Sequence, residues 1–222
     1  MAGGIAVGIE TTARRTFASA LDWPGWCRSG RDEAAALAAL AAAADRYARV
    51  ARGAGVVFAP GRPADLAVAE RLPGTATTAF GAPDAVFALD GRPTDLSGAQ
   101  RLGALVRAAW DDLDRVAGLA PAELRRGTRG GGRDRDAIVA HVAGAEQAYA
   151  RRIGLRLPGS DPGAGAGAAI DALRAAIVEI LTRASDGGPI PGGRWPARYA
   201  ARRIAWHALD HAWEIEDRAG LA

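Results

Sequence analysis

The chain has 222 residues, of which 49% are hydrophobic and 24% charged, so it is long enough for one large domain or two small ones with buried cores. All 28 basic residues are arginine, a choice that indicates codon bias in a GC-rich bacterial genome. The net charge of +3 is too small to indicate a nucleic-acid partner. The single cysteine, Cys27, excludes an internal disulfide and fits a reducing compartment.

The start of the chain has no signal-peptide pattern, because no basic segment precedes an apolar one. The longest apolar run covers residues 34–44, and its 11 residues fall short of the roughly 20 that a membrane span needs. We therefore expect a cytoplasmic protein without membrane contact.

The N-terminal half has short, β-like periodicity interrupted by one helical segment. Strands are predicted over residues 5–10, 15–22, 56–59 and 66–72. Pro24 and Gly25 end the second strand, because proline donates no backbone hydrogen bond and glycine permits the turn. Residues 31–52 predict one alanine-rich helix, and repeated Pro and Gly over residues 60–93 predict irregular structure ending at a domain boundary.

The C-terminal half has helical periodicity. Apolar residues recur at i, i+3, i+4 and i+7 over residues 97–117, 134–153, 170–184 and 197–218. Four amphipathic helices joined by Gly-rich loops predict a four-helix bundle, which closes its own core and is expected to fold alone. The expected fold is α+β, with a small ββα-type module over residues 1–92 and the bundle over residues 93–222.

All three histidines of the chain fall on apolar faces of these helices. His207 and His211 are spaced i, i+4, which places both imidazoles on one face, and His141 lies on the second bundle helix. Three neutral imidazoles facing a core, with open positions for water, suit one divalent ion such as Zn²⁺ or Ni²⁺. The alternative is ordinary hydrogen-bonded core histidines, since an isolated HxxxH pair also arises by chance.

Residues 138–146 (IVAHVAGAE) and 202–214 (RRIAWHALDHAWE) carry a resemblance to a known superfamily. Together with the helix order, they resemble the DinB/YfiT-like superfamily over residues 95–222. The resemblance implies a bundle of DinB-like topology with a metal on His141, His207 and His211. It also implies a long connection between the second and third helices, which residues 155–167 supply.

Two further residues on the ligand face are candidates for a role beside the metal. Glu214 lies three residues after His211, where it could orient an imidazole, act as a base on metal-bound water, or simply pair with Arg218. Arg203 lies one turn before His207, where its guanidinium could bind a substrate carboxylate or stay solvated.

Other polar and aromatic features are expected to be structural. We expect Asp210 and Glu146 to point away from the ligand face. Trp110 and Trp206 are expected in the core. The basic tract over residues 125–133 lacks the aromatics that stack on bases, and the Gly-rich residues 163–167 follow no strand, as a phosphate loop would require. Nucleic acid is therefore not an expected partner.

Residues 17–37 (FASALDWPGWCRSGRDEAAAL) resemble the HicB-like fold, in which a strand, a Pro-Gly loop and a second strand precede a helix with an acidic start. This resemblance implies a module for partner binding or assembly, and we expect a homodimer. Cys27 is expected to be a small core or turn residue.

Two classes of function stay open. The resemblance implies a metal-dependent transferase or isomerase that acts on a small molecule with a low-molecular-weight thiol such as mycothiol, bacillithiol or glutathione. A metal with open positions lowers the pKa of a bound thiol or water, which fits that chemistry. The alternative is a non-catalytic, metal-holding bundle whose HicB-like module recruits a partner.

Overall fold

The computed structural model describes residues 4–58, 65–126, 132–156 and 166–221. Within these ranges the protein combines a four-stranded sheet with helices, so it has the expected α+β composition. Four sequence predictions lie partly outside the described residues: the end of the strand over 56–59, the start of the irregular stretch over 60–93, the centre of the basic tract over 125–133, and most of the Gly-rich stretch within the connection over 155–167.

The sheet has the strand order β3-β2-β1-β4. Its strands are β1 (Ile5–Thr11), β2 (Thr16–Ala20), β3 (Cys27–Gly30) and β4 (Leu66–Pro73). The first three are antiparallel neighbours, whereas β4 runs parallel to β1. Half-buried and exposed residues alternate along β4, as expected for a strand with one packed face. The predicted strands over residues 5–10, 15–22 and 66–72 are therefore confirmed.

The predicted single helix over residues 31–52 is wrong, because two helices occupy this segment. Asp32 caps α1 (Glu33–Ala42) by accepting a hydrogen bond from the Ala35 N–H at 2.8 Å. The chain turns at Ala43, where ψ is 0°, and continues as α2 (Ala44–Gly53). The turn lets α1 pack on β2 and β3 while α2 packs on the first long helix. An alanine-rich run has uniformly high helix propensity and shows no such break in sequence.

The predicted strand over residues 56–59 is also wrong in its described part. Residues 56–58 are irregular and pair with no strand. Phe58 instead packs edge-on against the rings of Trp23, Trp26 and Tyr47, with centroids 4.7, 5.1 and 5.3 Å away. The apolar sequence of this segment is therefore explained by packing of Phe58 in an aromatic cluster and not by pairing in a sheet.

Four long helices dominate the described part of the C-terminal half. They are α4 (Leu96–Leu119), α5 (Arg135–Arg152), α6 (Ala166–Leu181) and α7 (Ala197–Ala219). Both α4 and α5 pack against α6 and α7. The α4 helix begins with an Asp95 cap on the Gly98 N–H at 2.7 Å, and α7 ends at Gly220 with a φ of 75°. Before α4 lie the short helix α3 (Ala76–Phe80) and a 3₁₀ turn (Ala88–Gly91).

Helix α7 is enclosed on nearly every side between residues 197 and 209. The turn between β2 and β3 lies against it: a Cβ on Gly25, whose φ is 90°, would stand 2.7 Å from Leu209 Cδ1 and 3.1 Å from Ala205 Cβ. Only glycine permits this approach. One cluster of buried apolar side chains extends from the sheet through α1 and α2 to the long helices.

Candidate metal centre

His141, His207 and His211 meet between α5 and α7. On α5, His141 lies beside the buried residues Ile138 and Val142, on the side of the helix that packs against α7. His207 and His211 follow one another by one turn of α7, so the helix alone aligns their rings. Packing of the two helices brings the third imidazole to the pair.

One nitrogen from each of the three rings comes close to the other two. The Nε2 atoms of His141 and His207 are 3.3 Å apart, and one nitrogen from each of the three residues lies within 4.8 Å of the others. Two nitrogens about 2.1 Å from a tetrahedral ion stand about 3.4 Å from each other. The histidines therefore lie close enough to hold a metal ion, as the sequence predicts.

Burial keeps two of these imidazoles uncharged. His207 is 7% exposed, and burial, assisted by the positive charges of His211 and Arg203, lowers its pKa to about 2. Burial also lowers the pKa of His141. Since only neutral imidazole binds a metal, both side chains are held in their ligand form at neutral pH.

Glu214 contacts a histidine of the cluster and Arg218 at the same time. Its Oε2 lies 2.9 Å from His211 Nδ1, and its Oε1 accepts a hydrogen bond from Arg218 Nη1 at 2.9 Å. The hydrogen bond with His211 is the main cause of the lowered pKa of the Glu214 carboxyl. A carboxylate that accepts the Nδ1 proton leaves Nε2 free for a metal. Orientation of an imidazole and pairing with Arg218 are thus combined in one residue.

Arg203 is buried beside the histidines and is not solvated. Its Cζ lies 5.3 Å from the ring centroid of Tyr149 and 4.7 Å from that of Trp206, and it is 9% exposed. No described carboxylate pairs with it, and its Nη1 is buried without a hydrogen-bond partner in the described chain.

Two aromatic residues that the sequence patterns did not single out, Tyr149 and Trp195, lie next to the site. The Tyr149 ring lies 5.7 Å from that of His207 and 5.4 Å from that of Trp195. Both side chains are half-buried and their rings contact each other; we call the pair Tyr149 and Trp195 the aromatic wall. Tyr149 lies two turns after His141 on α5, and this spacing is a signal that places it on the ligand face. Trp195 precedes α7 in a loop and has no comparable signal.

The other candidate residues have partners away from the centre. Asp210 pairs with Arg28 on β3 at 3.3 Å, and Glu146 accepts hydrogen bonds from Arg174 on α6 at 3.0 and 3.2 Å. The Arg125 guanidinium, at the start of the basic tract, donates to the carbonyls of Asp217 and Arg218 at 2.6 and 2.9 Å.

Three further residues, Cys27, Trp110 and Trp206, lie in the core. Trp110 and Trp206 are 3% and 4% exposed. The Cys27 thiol is buried against the Ser19 hydroxyl at 3.1 Å, and burial raises its pKa to about 12. It is therefore not a reactive thiol.

No protein-family model, curated protein or solved structure matches the chain. None of the helices in the described part of the chain combines the length and apolarity that crossing a bilayer requires.

Proposed function

We propose that the protein binds one divalent ion, Zn²⁺ or Ni²⁺, through His141, His207 and His211, in a four-helix bundle of DinB-like topology. The observation that carries this proposal is that three imidazoles on two packed helices lie close enough together to hold one ion. Imidazole nitrogens favour such borderline metals over Mg²⁺ or Ca²⁺, which prefer oxygen. Three protein ligands leave a fourth position open, which is typical of catalytic rather than structural zinc.

The activity we propose is that of a transferase or isomerase using a low-molecular-weight thiol such as mycothiol. A bound divalent ion supplies the means to lower the pKa of a thiol or water at that position. Glu214 holds the Nδ1 side of His211 and so directs its Nε2 inward. The thiol has to come from outside the protein, because the Cys27 thiol is buried and held protonated.

Measurements of metal content and of thiol binding test the metal site and the thiol-dependent activity separately. Elemental analysis of purified protein should find about one equivalent of metal, lost in His207→Ala and retained in Gln147→Ala, a control at an exposed position of α5. Stoichiometric metal in a variant lacking all three histidines would refute the metal site.

The Co²⁺-substituted protein tests the thiol. Mycothiol, bacillithiol or glutathione should produce a thiolate-to-cobalt charge-transfer band that the protein alone lacks. If none of them perturbs the spectrum at millimolar concentration, the thiol-dependent activity is wrong while the metal site stands.

A further inference from the structure

Arg202 and Arg203 are adjacent arginines with opposite surroundings. They are the two buried arginines in the part of the chain that the structure describes. Arg202 donates two hydrogen bonds to the buried carboxylate of Asp90, at 2.9 Å from Nε and 2.5 Å from Nη2. Arg203 has no carboxylate partner within the described residues, and its Nη1 makes no hydrogen bond. A buried cation without a counter-charge destabilises the folded state, so fold stability does not account for the presence of Arg203 at this position.

Aromatic contacts hold the Arg203 guanidinium without neutralising it. The faces of Tyr149 and Trp206 attract the cation through their π electrons, and they restrict its orientation. Neither ring carries a charge at neutral pH, and burial raises the pKa of Tyr149 further. The positive charge of Arg203 therefore stays available to a ligand.

This charge lies next to the metal centre. Arg203 is one turn before His207, and Tyr149 contacts both residues, with 5.3 Å from its centroid to the guanidinium and 5.7 Å to the His207 ring. The histidines add no negative charge, and the carboxylate of Glu214 is already balanced by Arg218. A divalent ion beside Arg203 would leave positive charge that no described side chain offsets.

The space around Arg203 determines the side from which an anion can approach. Arg203 lines a cavity together with Ser19, Cys27, Tyr199 and Trp206, and its volume of about 10 Å³ leaves room for about one water molecule. Tyr149, which contacts the guanidinium, is only half-buried, as is its neighbour Trp195, so we infer that a larger anion approaches from the side of this aromatic wall.

We propose that Arg203 binds a carboxylate group of the substrate or thiol cosubstrate, so that the ligands of this site are small organic acids that enter along the aromatic wall. This assignment rests on the proposed function for the role of the metal, whereas carboxylate binding by Arg203 does not require the metal. A planar guanidinium matches a carboxylate in shape and charge, and the wall suits an apolar or aromatic remainder.

Calorimetric titration of the full chain with benzoate and its neutral analogue benzamide tests the proposal, in metal-free and Zn²⁺-loaded protein. Wild-type protein should bind benzoate at least roughly tenfold more tightly than benzamide, because a hydrogen-bonded charge pair is lost in the amide. The preference should disappear in Arg203→Met. It should persist in Arg202→Met, provided that variant folds.

Thermal unfolding provides the second measurement. Arg203→Met should keep the wild-type unfolding temperature or exceed it, since no ion pair is broken, whereas Arg202→Met should lower it by leaving Asp90 unpaired. Absence of a benzoate preference in wild type, its survival in Arg203→Met, or destabilisation of that variant to the extent of Arg202→Met would overturn the proposal. Protein that binds no metal but keeps the benzoate preference would refute the metal site alone.

Discussion

Glu214 connects the histidine cluster to the end of α7. Its carboxylate lies between the imidazole of His211 and the guanidinium of Arg218, and its side chain is 35% exposed. A surface ion pair of this exposure contributes little to stability. We therefore expect the main role of Glu214 to be its contact with His211.

We expect Glu214→Gln to weaken metal binding about ten- to a hundredfold, because an amide orients His211 less firmly than a carboxylate. Competition with a chromophoric chelator measures the affinity. The matched control is Glu179→Gln, which breaks an exposed i, i+4 pair with Arg183 on α6 and should leave the affinity unchanged. Equal affinities of the two variants would show that Glu214 is only a surface residue.

The lowered pKa values of His141 and His207 predict a pH dependence of stability. The unfolded chain protonates these histidines below about pH 6.5, whereas the folded metal-free protein protonates them only at lower pH. Unfolding therefore takes up protons in that range, and the free energy of unfolding should fall as the pH decreases below about 6.5. Protons compete with the metal for His141 and His207 of the folded protein only at lower pH, so these two ligands should stay available to the metal in that range.

Urea unfolding of the metal-free protein at about pH 7.5 and about pH 5.5 measures the effect on either side of the ordinary histidine pKa. The loss of stability between these conditions should be smaller in His207→Asn, which removes the most strongly shifted histidine. A wild-type stability that does not change with pH would contradict the prediction.

At the residue scale, the sequence predicts those parts of the site that local geometry determines. The i, i+4 pair of His207 and His211 needs only a helix, and the apolar stripe of α5 points His141 inward. The isolation of Arg203 cannot be read from sequence, because its neighbour Arg202 has the same chemistry. Only the tertiary position of Asp90 decides which of the two arginines has a partner.

At the scale of elements, the β2–β3 turn determines how closely the sheet approaches α7. Gly25 combines a left-handed backbone with side-chain contacts that leave no room for a methyl group. We expect Gly25→Ala to lower the free energy of unfolding by about 3 kcal/mol, through backbone strain and overpacking together.

Gly55→Ala is the control for the Gly25 variant. Gly55 has a φ of 67°, but its added methyl group would meet nothing within 4 Å, so only the backbone cost of about 1 kcal/mol is expected. Chemical denaturation measures both variants. Equal losses of stability would show that the turn does not pack on α7 as described.

The element boundaries show where sequence patterns stop being informative. The four long helices begin and end within four residues of their predicted bounds, since their amphipathic stripes are local signals. The break at Ala43 and the irregular residues 56–58 are set by packing partners that are distant in sequence. Neither propensity nor periodicity contains that information.

At the scale of the whole molecule, the two halves share a core. The sheet covers α7 through Gly25, and Arg28 on β3 stacks over Trp213 with its Cζ 5.3 Å from the ring. Arg46 and Arg49 of α2 reach the buried Glu216 of α7 at 3.5 and 2.7 Å. These contacts argue against independent folding of residues 93–222, although the boundary at residue 92 remains a prediction.

We therefore expect a fragment of residues 93–222 to unfold at a lower temperature than the full chain and to expose apolar surface. Removal of the sheet would leave Leu209 and Trp213 uncovered and Glu216 without its α2 partners. Calorimetry and dye binding compare the two proteins, each with and without added Zn²⁺. A fragment that unfolds at the temperature of the full chain would establish an autonomous bundle.

The enclosure of α7 also constrains how this protein can change over evolutionary time. One side of the helix carries His207, His211 and Arg203, and the other packs against the sheet through Ala205 and Leu209. A mutation between residues 197 and 209 therefore meets selection for folding even where selection for ligand binding has been relaxed. We expect homologues with a different ligand specificity to differ at the aromatic wall of Tyr149 and Trp195, where half-buried side chains tolerate substitution.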